Sequence, residues 1–375
     1  MMALAARSMG YDVQTLDPDP ACAMRPVASR TITAPFTDAS AAESLAMQCD
    51  VLTLEIEQIH PDVLDAAAKH APLRPGRDAV YIIQDRLRQK RWLAQEQFPL
   101  GPFVAASSAN DIADAVSTFG PCIAKSTHGG YDGRGQVRLS GESAAGHAWR
   151  ELGERECVVE QLVSIDYELS VLVARRPGGE MAVYSPSRNH HTRGILTWAV
   201  VPAVITDVMS ERAQTLATAI AARLGIVGLL AVECFVTTDG VLLVNELAPR
   251  PHNTFHHSER TFATSQFEQL VRAVCDLPLG STELVTPGAI VNLLGDVWLQ
   301  PEAPALEHAL AIPTSRVHLY GKAGARAGRK MGHLSAIGAD AQQAVNRVLA
   351  SYRRLSPGTV SMFDVQDPVL LRPST

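Results

Sequence analysis

Two apolar, β-branched runs, LLAVECFVT and VLLVNELA, flank Asp239-Gly240 and form the most distinctive hydrophobic pattern of the chain. Asp-Gly between such runs is the strongest short-range signal for a β-hairpin, and it predicts two antiparallel strands joined by a two-residue turn. Counting back along both strands from that turn places Glu233 directly opposite Glu246. Because side chains alternate with period two, both glutamates then lie on one face, with Cβ atoms about 4.5–5.5 Å apart.

The predicted glutamate pair requires a counter-charge. Two carboxylates this close repel each other by about 4 kcal/mol at an effective dielectric constant near 20. Mg²⁺ is the natural candidate, because it binds carboxylate oxygens together with substrate phosphates. The alternative is that one glutamate lies in a frayed strand end or that the register slips. The strongly apolar character of both strands favours the paired arrangement, and hence a metal site.

The first part of the chain alternates strands with helices, which predicts a parallel α/β sheet. We predict a helix in MMALAARSMG, strands in YDVQTL and CDVLTLEIE, and a domain end near Gly76. The strand that normally opens such a unit has no counterpart, since the sequence begins within the predicted helix. A single helix is predicted over 81–97, and the default interpretation of its charges, including Lys90, is a solvated face.

A glycine-rich loop, HGGYDGRGQ, follows a predicted strand that ends at Lys125. Glycines let backbone N–H groups approach phosphate oxygens, and a lysine supplies a point charge. The loop does not match the P-loop pattern GxxxxGK[ST], and it could equally be a plain hairpin connection. Because the carboxylate hairpin lies in the same chain, we interpret the loop as a lid over a Mg-nucleotide site that excludes water.

Composition and charge narrow the class of protein. A length of 375 residues indicates two or three domains, and a hydrophobic content of 46% with 19% charged residues excludes a disordered chain. The net charge of −6 argues against a broad nucleic-acid surface. The six cysteines are widely spaced without a CxxC motif, which predicts reduced thiols in a cytoplasmic protein. No apolar stretch is long enough to span a membrane.

A basic, glycine-rich segment lies between 320 and 333. Lys322, Arg326, Arg329 and Lys330 are interspersed with glycines there, in a protein that is acidic overall. The alternative interpretation is a solvated loop. An anion site is favoured because the glycines also expose backbone donors.

The order of several motifs resembles one family of enzymes. GGYDGRGQ, YELS, AVECFV, NELAPRPHN, SQFEQ, LPLG, YGK and GRKMGHL follow one another as in the 5-(carboxyamino)imidazole ribonucleotide synthases, which are ATP-grasp enzymes. The resemblance covers the chain from Ala3 onward. It implies an α/β and α+β protein with an ATP-grasp fold, a Rossmann-like N-terminal domain and a small β-rich C-terminal domain. We expect these domains at 1–78, 79–275 (with a lid subdomain at about 107–175) and 276–375.

The resemblance also implies a reaction. Such an enzyme is a carbon–nitrogen ligase that uses ATP, Mg²⁺ (or Mn²⁺) and bicarbonate to carboxylate 5-aminoimidazole ribonucleotide in purine biosynthesis, through carboxyphosphate. A cytoplasmic homodimer is expected, with no nucleic-acid or membrane partner. Two alternatives stay open: another ATP-grasp ligase, similar to the formate-dependent glycinamide ribonucleotide transformylase, and a non-catalytic nucleotide-binding relative.

Individual roles follow from the same resemblance. The expected catalytic residues are Lys125, Arg250, His252 and Asn253. The expected nucleotide-binding residues are Arg86, Lys125, Gly130, Tyr131, Asp132, Gly133, Arg134, Gly135, Gln136, Glu160, Gln161, Leu162, Val163, Glu168, His191, Asn245 and Glu246. The metal carboxylates match Glu233 and Glu246, and the ribonucleotide contacts match Tyr131, Arg134, Lys322, Arg326 and Arg329. Strict alternation would point Asn245 to the opposite face from Glu246, which conflicts with its expected place beside the nucleotide.

The sequence departs from the family pattern at several positions. The glycine-rich first strand and turn, GGGQLGR in the family, has no match, and TFHHS follows NELAPRPHN where a Ser-Gly-His-Trp run is usual. Arg188 replaces a common acid, and Gln58 replaces a common asparagine. We therefore expect the protein to retain ATP binding and to bind the ribonucleotide weakly. We expect an added upstream strand with the family's glycine-rich turn to restore most of the affinity for the ribonucleotide.

Overall fold

The computed structural model describes residues 1–129 and 135–355. The α-helices are α1 (Met2–Ser8), α2 (Ala39–Ala46), α3 (Pro61–Ala68), α4 (Arg77–Ile83), α5 (Arg86–Gln95), α6 (Ala109–Phe119), α7 (Ala145–Glu151), α8 (Asp207–Leu224), α9 (Ser258–Thr261), α10 (Gln266–Val274), α11 (Leu306–Leu310) and α12 (Ala341–Leu355). The strands are β1 (Gln14–Asp17), β2 (Arg30–Thr33), β3 (Phe103–Ala106), β4 (Cys122–Ser126), β5 (Gln136–Leu139), β6 (Cys157–Gln161), β7 (Ile165–Arg175), β8 (Met181–Val183), β9 (Ser187–Thr192), β10 (Ile195–Val201), β11 (Gly228–Thr237), β12 (Leu242–Ala248), β13 (Gly288–Leu294), β14 (Ser315–Leu319) and β15 (Lys330–Ile337). Among these described helices, none combines the length and apolar character needed to cross a membrane.

The N-terminal region contains a parallel pair of strands, in which β1 lies in the predicted YDVQTL strand but β2 was not predicted. β1 and β2 pair in parallel, with Gln14 opposite Arg30. The prediction of a strand in CDVLTLEIE is wrong. Among the described residues, this segment forms one isolated parallel bridge, between Leu52 and Leu73. Leu52 exchanges backbone hydrogen bonds with the segment 72–74, and no other described segment continues the ladder. Leu52 is buried against α2 and α3 instead of within a sheet.

One large sheet contains strands from the central part and the C-terminal part of the chain. In the described part of the chain, a nine-stranded antiparallel sheet has the order β12-β11-β7-β9-β10-β13-β15-β14, with β8 paired to β7. Alternate residues of β7 face opposite cores: Val171 packs with α8, and Leu172 packs with α10. Strands β13–β15 join the same sheet through β10, and α12 covers that end. The C-terminal segment is therefore continuous with the central sheet.

A separate four-stranded antiparallel sheet, in the order β3-β6-β4-β5, carries part of the site. One face is apolar: Cys122, Ala124 and Val159 pack against α6 and α7. Lys125 follows Ala124 on β4, and Glu160 follows Val159 on β6. Both side chains therefore point to the other face by period-two alternation. The sheet thus presents a charged face on the side away from its core.

The helix predicted over 81–97 is two helices, so that prediction is wrong in one respect. α4 ends at Ile83 and α5 begins at Arg86. Asp85 separates them as the N-cap of α5, and its carboxylate accepts the Arg88 N–H at 2.6 Å. Because an aspartate side chain competes for backbone donors, it starts a new helix instead of continuing the old one. The break frees the Arg86 N–H to donate to the Thr127 carbonyl at 2.9 Å.

The central hairpin has a three-residue loop, not the predicted two-residue turn. The Thr237 N–H donates to the Val241 carbonyl at 3.0 Å, and the Gly240 N–H donates to the Thr237 carbonyl at 2.9 Å. Gly240 has a positive φ of 78°, as the last residue of such a loop requires. With this loop alone, the register would place Glu233 opposite Asn245.

A β-bulge restores the predicted glutamate pair. The register shifts between Glu233 and Cys234, so that Cys234 pairs with Val244 while Glu233 pairs with Glu246. The core-facing positions of β12 change accordingly from Val244 to Leu247, both of which pack in the same core. Extra residues of this kind re-aim side chains beside active sites. The pairing predicted for Glu233 and Glu246 is confirmed, although the turn prediction was one residue short.

We expect Gly240→Ala to destabilise the protein by about 1–2 kcal/mol, because an alanine must adopt the left-handed conformation there. A Cβ at this position meets nothing within 4 Å, so the cost lies in the backbone. The measurement is urea unfolding. Gly178→Ala is the control, since that glycine also has open space but no positive φ. Equal stability of the two variants would contradict the loop conformation.

Candidate active site

The glutamate pair on β11 and β12 is the centre of the site. Glu233 lies opposite Glu246, and both side chains are on the face that the bulge turns away from the α8 core. Glu233 Oε1 lies 3.1 Å from His252 Nε2, and Glu233 Oε2 accepts a hydrogen bond from Asn245 Nδ2 at 3.4 Å. The bulge thus places Asn245 on the same side as Glu233, which removes the conflict with strict alternation. Glu246 is exposed at the surface of the described residues.

The two carboxyl groups have opposite pKa shifts. Burial alone raises the pKa of Glu233, but the hydrogen bond and charge of His252 outweigh it and lower the pKa to about 2. Desolvation in the cleft raises the pKa of Glu246, and the negative charge of Glu233 adds to that shift. The positive charges of Arg86 and Lys125 oppose it. A cation between the two carboxylates would therefore stabilise the ionised form of Glu246.

The donor set of this pair fits magnesium with a nucleotide better than a closed metal site. Within the described ranges, no cluster of three or more His, Cys, Asp or Glu side chains could hold a metal ion alone. Mg²⁺ typically binds one or two carboxylates and completes its shell with water and substrate phosphates. Glu233 and Glu246 meet that requirement.

A buried carboxylate joins two lysines beside this pair. Glu160 Oε1 lies 3.0 Å from Lys125 Nζ, and Glu160 Oε2 lies 3.2 Å from Lys90 Nζ. Lys90 is only 3% exposed, so the interpretation of its helix as a solvated face is wrong at this position. The sequence contained one indication that Lys90 belongs to the site, since Lys90 lies one helical turn after Arg86 on the same side of α5. The nucleotide role expected for Glu160 is therefore accompanied by an ion-pair role.

The strand-loop-strand unit around Lys125 is held at both ends. Arg86 Nη1 donates to the Ser126 carbonyl at 2.6 Å, which ties α5 to the end of β4. The Ser126 N–H donates to the Gly135 carbonyl at 2.8 Å, and Gln136 pairs with Lys125. The expected contacts Gly130, Tyr131, Asp132, Gly133 and Arg134 lie outside the described residues.

The segment expected to contact the adenine and ribose lies at the end of β6 and on β7. The Leu162 N–H donates to the Pro121 carbonyl at 2.9 Å, and Gln161 Nε2 donates to the Phe119 carbonyl at 3.0 Å. On β7, Glu168 Oε2 lies 2.7 Å from His191 Nδ1. Burial lowers the pKa of His191, but the Glu168 carboxylate outweighs burial and raises it. Val163 follows Leu162 between β6 and β7, and lies against Gly101.

The segment after β12 connects the glutamate pair to the N-terminal region. Arg250 Nε and Nη2 donate to the two oxygens of Glu57 at 2.5 and 3.2 Å. Burial lowers the pKa of Arg250, but the Glu57 carboxylate outweighs it. Burial of Glu57 would raise its pKa, but the charge of Arg250 outweighs burial and lowers it. Glu57 therefore stays ionised. This bidentate pair joins the loop 51–60 to the central sheet.

Two further residues define the pocket beside Arg250. The His252 backbone is held on both sides by Gln266, whose Oε1 accepts the His252 N–H at 2.8 Å and whose Nε2 donates to the His252 carbonyl at 3.0 Å. Among the described residues, the buried amide oxygen and nitrogen of Asn253 have no hydrogen-bond partner. Buried polar atoms are usually satisfied, so this side chain indicates a polar ligand. Gln266 was missed as a site residue, although its motif SQFEQ was part of the family resemblance.

The basic loop between β14 and β15 folds tightly on itself. Arg329 Nη1 donates to the Ala323 and Gly324 carbonyls at 2.5 and 2.8 Å, and Lys322 Nζ donates to the Lys330 carbonyl at 3.2 Å. The loop is anchored by the turn that follows β13. There the Gly328 N–H donates to Asp296 Oδ2 at 2.7 Å. A Cβ at Gly295 would lie 2.2 Å from the Arg326 carbonyl, so this approach requires glycine.

Glu55 connects the basic loop with the Arg250 pocket. Burial raises the pKa of Glu55, whereas the charges of Arg250 and Lys322 lower it. Lys330 in turn acts on Glu233 and on His191. Glu57 and Gln266 hold the segment of Arg250 and His252, and Lys90 pairs with Glu160, roles that the sequence did not indicate.

Three family models match successive parts of the chain. The ribonucleotide synthetase preATP-grasp domain matches residues 1–84, the ATP-grasp domain matches 91–267, and the phosphoribosylaminoimidazole carboxylase C-terminal domain matches 288–347. Most of the site residues described above fall within these three matches, while Arg86 and Lys90 lie between the first and the second.

Curated relatives and solved structures agree with this assignment. The N5-carboxyaminoimidazole ribonucleotide synthase of Bacillus subtilis is 40% identical over 339 residues, which cover 89% of this chain and 87% of that protein. The same enzyme of Brucella melitensis is 38% identical over 340 residues, covering 90% and 92%. The Staphylococcus aureus N5-carboxyaminoimidazole synthetase complexed with ADP superposes with a TM-score of 0.88 at 33% identity, covering 94% and 93%. The Aspergillus clavatus synthase in complex with ADP and 5-aminoimidazole ribonucleotide superposes at 0.87 with 29% identity, covering 95% of each chain.

We expect a double-mutant cycle of Glu57→Gln and Arg250→Met to give a coupling energy of about 1–3 kcal/mol, because the pair is charge-assisted and largely shielded. Urea unfolding at several pH values is the measurement. Since Arg250 lowers the pKa of Glu57, this contribution is fully present above the usual glutamate range and is lost as the pH falls through the lowered pKa.

The exposed pair Lys69–Glu43 is the matched control, with side-chain exposures of 66% and 37%. Its coupling should be much smaller, because water screens exposed ion pairs. A coupling between Glu57 and Arg250 no larger than that of the control would contradict the structural role of this pair.

Proposed function

The chain belongs to the N5-carboxyaminoimidazole ribonucleotide synthase family of ATP-grasp enzymes, and from this premise we propose that it carboxylates 5-aminoimidazole ribonucleotide with ATP and bicarbonate. ADP and phosphate are the other products. The observation that carries the proposal is the Glu233–Glu246 pair, which faces Lys125 and Arg86 across one cleft. Retention of all these groups in one cleft argues for catalysis instead of a nucleotide-binding relic.

The nucleotide phosphates lie, in this proposal, between the carboxylate pair and the cations of the smaller sheet. Glu233 and Glu246 would hold Mg²⁺, or Mn²⁺ in its place, which would supply positive charge next to the phosphates. Lys125 and Arg86 supply further positive charge, together with backbone groups of the loop from Gly130 to Gln136. The end of β6 contacts the adenine, and Glu168 with His191 contacts the ribose.

The first step is phosphoryl transfer to bicarbonate. A bicarbonate oxygen attacks the γ-phosphorus, the bond between that phosphorus and the β–γ bridging oxygen breaks, and ADP leaves with the bond electrons. Both reactants are anions, so the task of the protein is to neutralise and align them. Lys125 and Arg250 do so, and the unpartnered amide of Asn253 provides hydrogen bonds for the carboxyphosphate that forms. His252 positions Glu233 through its 3.1 Å contact.

The second step forms the carbon–nitrogen bond. Carboxyphosphate breaks down to CO₂ and phosphate, and the 5-amino nitrogen adds to the carbon and loses one proton. The phosphate of the ribonucleotide is bound by Lys322, Arg326 and Arg329. Tyr131 and Arg134, which lie outside the described residues, complete that set in the proposal.

The remaining expectations are part of the same proposal. They are a homodimer in the cytoplasm, without nucleic-acid or membrane partners, and a division of the chain at 1–78, 79–275 and 276–375 with a lid at about 107–175. The three consecutive family matches support a division into three parts.

ADP release from ATP tests the reaction. We expect release to require both bicarbonate and 5-aminoimidazole ribonucleotide, with formation of the carboxylated ribonucleotide. Replacing bicarbonate by formate and the ribonucleotide by glycinamide ribonucleotide tests the alternative ligase. Turnover with formate alone, or nucleotide binding without turnover under either condition, would refute the proposed carboxylation.

We expect Glu246→Gln to reduce Mg²⁺-dependent ATP turnover by about 10²-fold or more, because the cleft loses one of two metal carboxylates. Its unfolding in urea should be no easier than that of the unchanged protein, since the substitution removes like-charge repulsion. Glu43→Gln is the control for a neutralised glutamate outside the cleft. An active Glu246→Gln protein would remove the carboxylate pair from the mechanism.

A further inference from the structure

Lys90 is a buried cation for which the mechanism above has no role. Its side chain is 3% exposed, and its ammonium lies 3.2 Å from Glu160 Oε2 and 5.7 Å from the centre of the Phe103 ring. Lys125 is more accessible, at 13%, and binds the other oxygen of the same carboxylate at 3.0 Å. A single carboxylate therefore joins a shielded lysine to a lysine that faces the cleft.

The charge balance of these three groups matters for the phosphates. Glu160 is ionised, because the two lysines outweigh the effect of its burial and lower its pKa. With both lysines protonated, the cluster of Lys90, Glu160 and Lys125 carries one net positive charge, although burial lowers the pKa of Lys90. If Lys90 is neutralised, Lys125 alone must balance a buried carboxylate, and the cluster has no net charge left for a phosphate. Removing one partner of a buried ion pair is also costly, because the other charge stays buried.

The position of Lys90 also connects two elements that carry phosphate-facing cations. Lys90 lies on α5 four residues after Arg86, and Glu160 lies on β6, which pairs with the Lys125 strand β4. The Lys90–Glu160 contact thus adds to the Arg86 hydrogen bonds that hold α5 beside the strand of Lys125. Residues four apart on a helix lie on the same side, so both side chains of α5 act toward the small sheet.

We propose that Lys90 is a positioning residue for the nucleotide: by sharing Glu160, it keeps the Lys125 ammonium available and correctly placed for the phosphates. The proposal rests on the proposed function only in assigning Lys125 to phosphate binding. Lys90 itself does not contact the nucleotide, because its ammonium is enclosed by Glu160 and Phe103.

The test is calorimetric titration with Mg-ADP, which requires no turnover. Lys90→Met should raise the Kd for Mg-ADP about tenfold or more. The same substitution made in a Glu160→Gln background should change the Kd less than about threefold, because the carboxylate through which Lys90 acts is gone. In turnover assays the KM for ATP should rise by the larger factor, while kcat changes less.

Arg91→Met is the matched control, since Arg91 is the next residue of α5 and is exposed. Its Kd for Mg-ADP should equal that of the unchanged protein. If Lys90→Met does not fold, Lys90→Gln, which keeps an N–H donor toward Glu160, takes its place with the same expected outcomes.

Three results would overturn the proposal. An unchanged Kd in Lys90→Met would show that Lys90 has no effect on the nucleotide. An equally large effect in the Glu160→Gln background would show that Lys90 acts without Glu160. A normal kcat with an unchanged KM for ATP would lead to the same conclusion. Failure of the proposed carboxylation has a different signature, since it would abolish ribonucleotide-dependent turnover and leave the Mg-ADP titrations interpretable.

Discussion

Repulsion between two glutamates on neighbouring strands is the constraint on which the rest of this site depends. Glu233 and Glu246 are held opposite each other by the ladder of β11 and β12, and cannot move apart without breaking it. The surrounding protein answers this repulsion unequally: His252 stabilises the charge of Glu233, whereas Glu246 stays open to the cleft with a raised pKa. A hairpin with this charge distribution is ready for a cation that arrives with phosphates.

Four basic side chains around the pair each contact a carboxylate of the protein. Lys125 is bound to Glu160, Arg250 to Glu57, His191 to Glu168 and His252 to Glu233. Whereas Arg86, Lys322 and Arg329 donate to backbone carbonyls, these four side chains each have a protein carboxylate as partner. Such pairing keeps buried charges compensated and also fixes the direction of each side chain. Ligand phosphates must then compete with, or share, these carboxylates, which limits binding to anions that deliver several charges at once.

The sequence predicted features that depend on local chemistry and missed those that depend on long-range packing. Asp239-Gly240 identified the hairpin, and the motif NELAPRPHN identified the residues around Glu246. The bulge at Asn245 could not be predicted, because it depends on which strand positions face the core formed with α8. Lys90 was likewise misread: helix periodicity does not reveal that a β-sheet from residues 103–161 covers that side of α5. The strand predicted in CDVLTLEIE failed because a strand also requires a partner, which only the fold can supply.

In the proposed mechanism, this site transfers a phosphoryl group from ATP to bicarbonate before the carbon reaches the ribonucleotide. The most direct measurement uses bicarbonate labelled with ¹⁸O and mass analysis of the phosphate released during turnover with 5-aminoimidazole ribonucleotide. Because a bicarbonate oxygen attacks the γ-phosphorus and stays bonded to it, we expect the released phosphate to carry a labelled oxygen. Phosphate without label, formed at the same rate as the carboxylated product, would contradict it.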